Sequence, residues 1–242
     1  MTHRYFVETP ISGDHATLTA SESHHLLHVM RAQPGEEVTL FDGSGAEYVA
    51  RVESTGRAAV GLGIVSRSVV DRELEIDVTL GVALPKGERQ RWLVEKATEL
   101  GVRCVVPLNT DRGVAQPNPS AIGRLQRTVV EASKQCGRNR LMEVVAAQDW
   151  SEFVTTHGCL ATAEPSGGCF VAHPGSGNLP AAALIAGAEA GQAVYLAVGP
   201  EGGFTAEEIS LANEQGWQAI DLGPRILRVE TAALALVTLV AL

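Results

Sequence analysis

The sequence predicts an α/β protein in which a mainly parallel sheet flanked by helices follows a small β-rich domain. Three observations carry that prediction. The first 70 or so residues hold short strand-like runs parted by turn residues, at the spacing of a small barrel. From about residue 75 strand-like and helix-like runs alternate, the mark of a parallel sheet with crossover helices. Several of the later strands also stop in polar or glycine-rich loops, the place where open parallel sheets hold ligands.

In the N-terminal part, residues 5–7 and 16–19 read as strands and residues 22–31 as a short helix. Pro34-Gly35 opens a strand at 38–41, and Asp42-Gly43-Ser44-Gly45 is a hairpin turn, because Asp-Gly supplies the positive φ angles such turns need. Residues 48–52 and 59–65 return as strands, and residues 69–73 form the link, giving domains at 1–72 and 73–242. In the second domain a strand at 76–84 leads into a helix at 87–100. Leu93, Ala97 and Leu100 share one face of that helix, and Gly101 ends it. A strand at 102–108 and a helix at 121–136 follow. A strand at 160–163 is expected to end in the turn 164–168, and a strand at 193–198 in the loop 199–203. A last strand at 219–222 ends in the loop 223–230, and the chain closes on an apolar helix.

Composition narrows the function classes. The chain has 242 residues, 45% of them hydrophobic, enough for a sizeable core. No run of 18 apolar residues predicts a membrane span, and the N-terminal MTHRYF lacks a signal-peptide core, so a cytoplasmic protein is expected. Four cysteines without Cys-x-x-Cys or zinc spacing read as reduced, buried thiols. The net charge of −9 is unevenly spread: residues 73–140 carry 11 basic against 8 acidic side chains, whereas residues 141–242 carry 2 against 11. A local basic surface on an acidic protein still attracts phosphate backbones, since the field is screened beyond about 10 Å at physiological salt.

The loops at 164–168, 199–203 and 223–230 are expected to converge on one pocket of backbone N–H and C=O groups. The dinucleotide fingerprint and the P-loop are both absent, which points away from NAD and ATP. The stretch VGPEGGF at 198–204 has no lysine and carries Glu201 where a phosphate cradle wants positive charge. Arg225 and Arg228 are the only cations of the last hundred residues, in the loop that also holds Glu230. His24 and His28 stand at i and i+4, but without a third ligand they give no metal site. No Gly-x-Ser-x-Gly elbow supports hydrolase chemistry.

Taken in order, these motifs resemble the RsmE family of bacterial 16S rRNA (uridine-N3) methyltransferases, of the SPOUT superfamily, over essentially the whole chain. The matching stretches are His25-Leu26 with Val29-Met30-Arg31, Pro34-Gly35-Glu36, and Leu40-Phe41-Asp42-Gly43. They continue with Lys86-Gly87-Glu88, KATELGV at 96–102, Glu131-Ala132 with Gln135-Cys136-Gly137-Arg138, Gly199-Pro200-Glu201-Gly202-Gly203, and LGPRILRVETA at 222–232. This chain departs from the family at Val229, where Thr is usual, and at Gly113, where Ser often follows the arginine.

The resemblance implies an N-terminal PUA-like β-barrel that helps bind RNA and a SPOUT-type α/β domain with a deep trefoil knot, in a homodimer whose site lies near the subunit interface. It implies S-adenosyl-L-methionine as cofactor and N3 of a particular uridine in 16S rRNA of the small ribosomal subunit as target. The cofactor-binding residues carried by these motifs are Ala163, Glu164 and Pro165; Val198, Gly199, Pro200, Glu201, Gly202 and Gly203; and Leu222, Gly223, Ile226, Leu227, Arg228 and Thr231. Backbone groups of Leu222, Gly223 and Leu227 suit the adenine rim, with Ile226 and Leu227 against its faces. Glu201 either meets the cofactor's cationic groups or orients its own turn. Arg225 and Arg228 are candidates to stabilise charge on the uracil oxygens, and Glu230 is a candidate base if desolvated. RNA is expected on Arg31 and Arg51 of the barrel and on Lys86, Arg89, Arg91, Arg138 and Arg140 of the second domain. The competing readings are a related knotted methyltransferase acting on another rRNA or tRNA position, and a non-catalytic RNA-binding assembly factor.

Overall fold

The computed structural model describes residues 3–55, 60–114, 117–158, 166–175, 179–180 and 189–241. The chain divides into two compact units. One comprises residues 1–73 and 130–141, and the other residues 74–129 and 142–242. The short segment 130–141, which carries Arg138 and Arg140, therefore groups with the N-terminal strands.

The N-terminal unit is a five-stranded sheet. Its strands are β1 (Arg4–Phe6), β2 (His15–Thr17), β3 (Glu37–Phe41), β4 (Ala46–Thr55) and β5 (Val60–Val69), in the order β1-β3-β4-β5-β2. β1 runs parallel to β3 and the other pairs are antiparallel. Residues from both edge strands, Tyr5 of β1 and Ala16 of β2, join Leu26, Leu40, Ala50 and Leu62 in one buried cluster, so the sheet curls around its own core as a barrel does. Irregularities in the β4–β5 pairing, at Val49/Ala50 and Val52/Ser54, supply the bend that curling requires. The β3–β4 hairpin closes through Asp42. Its Oδ1 accepts from the Ser44 amide at 3.1 Å, and its Oδ2 accepts from the Ile11 amide at 2.9 Å. The expected helix at 22–31 begins earlier, as α1 (Ala20–His24) capped by Thr19, and widens into a π-helical turn at His25–Val29.

The second unit is built on β6 (Asp77–Val82), β7 (Cys104–Asn109), β8 (Glu143–Val144), β9 (Gln148–Asp149), β10 (Ser166–Ala172), β11 (Leu179–Pro180), β12 (Ala193–Val198) and β13 (Gln218–Asp221). They run in the order β11-β13-β10-β12-β6-β7-β8, with β9 also on β7, and every pair is parallel. The crossovers carry α2 (Glu88–Glu99), α3 (Pro119–Cys136), α4 (Trp150–Thr156) and α5 (Ala206–Glu214), and α6 (Val229–Ala241) follows the last strand. Helix α6 packs on β6 and β12 and against α2, while α4 and α5 pack together beside β7 and β13. Alternation along β12 shows why both faces need cover. Tyr195 and Ala197 join the cluster of Trp150, Phe153 and Trp217, while Val194 and Leu196, pointing the other way, are also buried.

One expected element moved. The turn expected at 164–168 is, from Ser166 onward, the first part of β10, which runs on to Ala172. Ser166-Gly167-Gly168 reads locally as a turn, but pairing of Ser166 and Gly168 with β12 draws it into the sheet, and β13 joins on the other side only from Phe170 onward. Cys104 and Cys136 are free thiols, whereas Cys169 is disulfide-bonded, against the expectation of four reduced cysteines. Among the described residues no helix is long and apolar enough to cross a membrane.

Candidate functional site

Three adjacent parallel strands end level with one another. Ala172 of β10 pairs with Val198 of β12 and with Ile220 of β13. Their carboxyl ends form the floor of a cavity of about 260 Å³. Each strand contributes the loop that follows it: His173 and Pro174 after β10, residues 199–203 after β12, and residues 221–227 after β13, with Val229 and Ala232 of α6 closing the side.

The second of these loops is the most firmly built. Pro200 to Gly203 is a tight turn in which the Gly203 amide donates to the Pro200 carbonyl at 2.8 Å. Gly203 has φ +68, a conformation that disfavours any side chain. A Cβ on Gly199 would lie 2.9 Å from the Phe204 ring, so only glycine lets the loop close over that residue. Phe204 itself is buried against Trp150, with ring centroids 4.2 Å apart. Thr205 then caps α5 in a capping box with Glu208. Glu208 also accepts from the Asp111 amide at 2.9 Å, and Arg112 Nη1 donates to the Gly202 carbonyl at 2.8 Å. The loop after β7 is thereby fastened to the loop after β12.

Of the residues expected at the site, Val198, Gly199, Pro200, Glu201, Gly202, Gly203, Leu222, Gly223, Arg225, Ile226 and Leu227 all line the cavity. Arg228 and Thr231 are exposed and are not among its lining residues. The Arg228 carbonyl accepts from the Ala232 amide at 2.8 Å, so Arg228 marks the start of α6. Glu230 departs furthest from expectation. It lies in the first turn of α6, not in a water-facing loop, and its side chain is 8% exposed. Val229 and Ala232, three residues apart on one helix face, look into the cavity, whereas Glu230 is turned about 100° away, toward Arg89. Ala163, Glu164 and Pro165 fall outside the described residues. Ala172 at the end of β10 and His173 and Pro174 after it, which do line the cavity, were missed because the strand was expected to end before it begins. The rule that ligands sit beyond the carboxyl ends of parallel strands finds them once the strand is placed correctly.

The cations expected to meet RNA fall into two groups. Arg31, Lys86, Arg91 and Arg140 are exposed, and Arg51 is exposed beside Glu37 at 2.9 Å. Arg138 is buried, at 3% exposure, with its guanidinium forked onto the Glu73 carboxylate, an ion pair within the N-terminal unit. Arg89 pairs with Glu201 at 2.9 Å and lies 3.7 Å from Glu230. Among the described residues neither Arg225 nor Arg228 pairs with a carboxylate. Charge around the cavity therefore comes from two acids, Glu201 and Asp221, and one unpaired cation, Arg225. Asp221 is already engaged, since its Oδ1 accepts from the Gly223 amide at 2.8 Å.

Such a cavity, walled by glycine backbone and apolar side chains with a single arginine among its lining residues, fits a flat, largely apolar ligand and offers a polyphosphate little counter-charge. The described residues contain no group of three metal-ligating side chains.

Comparison with known proteins bears on the same residues. A family model described as an RNA methyltransferase domain matches residues 72–241, and one described as an RNA methyltransferase PUA domain matches residues 18–60. A Synechocystis protein named ribosomal RNA small subunit methyltransferase E is 34% identical over 222 residues, 89% of this chain and 69% of the relative. The Bacillus subtilis protein of that name is 30% identical over 96% of this chain and 93% of its own length. In three dimensions the chain resembles the ribosomal RNA small subunit methyltransferase E of Neisseria gonorrhoeae, solved bound to S-adenosyl methionine. The TM-score is 0.85 at 29% identity, over 98% of this chain and 96% of that one. The curled N-terminal sheet is thus a PUA-like domain and the parallel sheet a SPOUT-type methyltransferase domain. With the family models and near full-length relatives in agreement, this chain belongs to the ribosomal RNA small subunit methyltransferase E family of RNA methyltransferases.

Proposed function

We propose that this protein transfers the methyl group of S-adenosyl-L-methionine to N3 of a specific uridine in 16S rRNA of the small ribosomal subunit. The observation that carries the reading is the three-loop cavity at the carboxyl ends of β10, β12 and β13. Its glycine turn and largely apolar wall suit a flat nucleoside and offer little counter-charge to a polyphosphate. The cofactor supplies an activated methyl carbon on a sulfonium. Backbone groups of Leu222, Gly223 and Leu227 hold the adenine rim, and Gly199 to Gly203 close over the remainder.

Neutral uracil N3 carries a proton and is a poor nucleophile, so the reaction needs that proton lost and the resulting charge on O2 and O4 stabilised. Arg225 at the cavity wall and Arg228 at the head of α6, both without a carboxylate partner among the described residues, supply donors for that charge. Glu230 is not the base in this reading, because it faces Arg89. The uridine must leave its stack to reach the cavity, and positioning it against the methyl group accounts for much of the rate.

Residues 1–72 act as the PUA-like RNA-binding domain and residues 73–242 as the methyltransferase domain, which carries the deep trefoil knot of its superfamily. Arg31, Arg51 and Arg140 engage phosphates from the N-terminal unit, and Lys86 and Arg91 from the second. The protein works in the cytoplasm, where ribosomes are made, as a homodimer. Ile226, 98% exposed at the rim of the cavity, supports that assembly, since a second subunit would cover it. Small-subunit particles from a strain lacking the activity, incubated with the protein and methyl-labelled cofactor, are expected to take label at uridine N3 alone. Label on another nucleoside, or on tRNA, would move the protein to a different target within the superfamily. Absence of both label and cofactor binding would make it an assembly factor.

A further inference from the structure

We propose that Arg89 is a positioning residue for the methyl-transfer site. One guanidinium fixes the spacing between the Pro200–Gly203 turn and the first turn of α6, and so sets the width of the cofactor cavity. The inference rests on the functional reading above and deepens it, because Arg89 itself lines no part of the cavity.

Arg89 projects from the first turn of α2. Its Nη2 donates to Glu201 Oε1 at 2.9 Å, and its Nη1 lies 3.7 Å from Glu230 Oε2. The contact with Glu201 joins two groups that are 40% and 43% exposed, and an ion pair of that kind contributes little alone. Glu230 is a different case. Its side chain is 8% exposed, and its Oε2 is buried with no hydrogen-bond partner among the described residues. A buried carboxylate in that state depends on its nearest counter-charge, and removing the counter-charge leaves it uncompensated.

The two carboxylates belong to different segments around the cavity. Glu201 sits within the turn that closes over the strand ends. Glu230 lies between Val229 and Ala232, which form the side wall. α2 and α6 pack against each other, so a guanidinium anchored on α2 holds both walls to one frame. Glu201 thereby acquires a definite role, which is to orient the turn, and Glu230 becomes the anchor that places Val229 and Ala232.

The test compares Arg89→Ala, Arg89→Lys and Glu230→Gln with the unmodified full-length protein. S-adenosyl-L-homocysteine and S-adenosyl-L-methionine binding are measured by calorimetry, the kinetic constants on small-subunit particles, and backbone amide exchange by mass spectrometry. Arg89→Ala is expected to weaken both ligands about tenfold and to raise the KM for the methyl donor with little change in kcat. Amide exchange should rise in two separate segments, 200–204 and 229–232. Arg89→Lys, which restores one charge but not the fork, should recover part of the affinity. Glu230→Gln, which removes the need for a counter-charge, should make a second substitution at Arg89 less costly than it is alone. Unchanged binding and unchanged exchange in Arg89→Ala would overturn the proposal. So would a fall in kcat with binding intact, since that assigns Arg89 to the chemistry. If the unmodified protein binds neither ligand, the functional reading fails. The exchange data then decide the clasp separately, by whether the two segments loosen together.

Discussion

Gly199 has no side chain to offer a ligand, yet its missing Cβ lets the loop after β12 pass within van der Waals reach of Phe204. A methyl group there would stand 2.9 Å from the buried ring, and Phe204 cannot retreat because Trp150 backs it. Gly199→Ala is therefore expected to overpack the loop by about 1–3 kcal/mol and to weaken S-adenosyl-L-homocysteine binding about tenfold or more, read by calorimetry. Wild-type affinity in that variant would show that the loop has slack. Asp42 makes a different residue-scale case. Burial alone would push its carboxyl up, but the Ser44 hydroxyl, the Ile11 and Ser44 amides and the Tyr48 hydroxyl together hold it below its usual value of 3.8. A carboxyl depressed in the folded state contributes stability that is present above about pH 4 and lost as pH falls through the folded value. Asp42→Asn should accordingly be destabilising at pH 7, and the gap from the unmodified protein should close toward pH 3 in denaturant titrations. A gap that stayed constant with pH would mean the carboxylate's charge is irrelevant to the hairpin.

At the scale of elements, α5 shows how a local signal is put to wider use. The Thr205 and Glu208 pair forms a capping box, with its two bonds at 3.2 and 2.7 Å. The fold adds a third, from the Asp111 amide to Glu208, which ties the cap to the loop after β7. Thr205→Ala should cost about 1 kcal/mol, the usual value of a cap. Glu208→Ala should cost more, about 1–3 kcal/mol, because it strips partners from part-buried amides of two segments at once. Urea unfolding of the two variants orders them, and equal losses would show that the bond from Asp111 contributes nothing. β10 teaches the converse lesson. Its opening Ser-Gly-Gly has every local mark of a turn, and only pairing with β12 makes it a strand. A reading by local propensity was bound to end the strand early and to miss His173 and Pro174.

For the whole molecule, charge is the organising quantity. A net charge of −9 coexists with five exposed cations assigned to RNA: Arg31, Arg51, Lys86, Arg91 and Arg140. If each neutralises one phosphate, affinity for the small-subunit particle should fall about a hundredfold between 50 and 200 mM salt, by the counterion-release slope for single strands. Substituting Arg31 by Ala should make that slope shallower by about 0.7, while Arg138→Ala should leave the slope alone and lower stability instead, since Arg138 is buried on Glu73. Filter binding across a salt series separates the two. A flat salt response would remove the electrostatic footprint altogether.

The sequence by itself determined the β-rich first part and the alternating second part, the strand at 193–198, the hairpin at Asp42, and the motifs at 199–203 and 222–232 that mark the family. Those features are written in hydrophobic period, turn chemistry and short contiguous motifs, all of which act over a few residues. The tertiary structure alone decided that Ala172, Val198 and Ile220 end level to form one floor, that Arg138 is buried, and that Glu230 faces α2 and not the cavity. Glu201, an acid in a phosphate-like turn, was legible as an oddity in the chain. Its partner Arg89 lies 112 residues away, and only packing brings the two together. Contacts of that span depend on how parallel strands order themselves across a sheet, and that order is set by the burial of both sheet faces at once rather than by any local stretch of sequence.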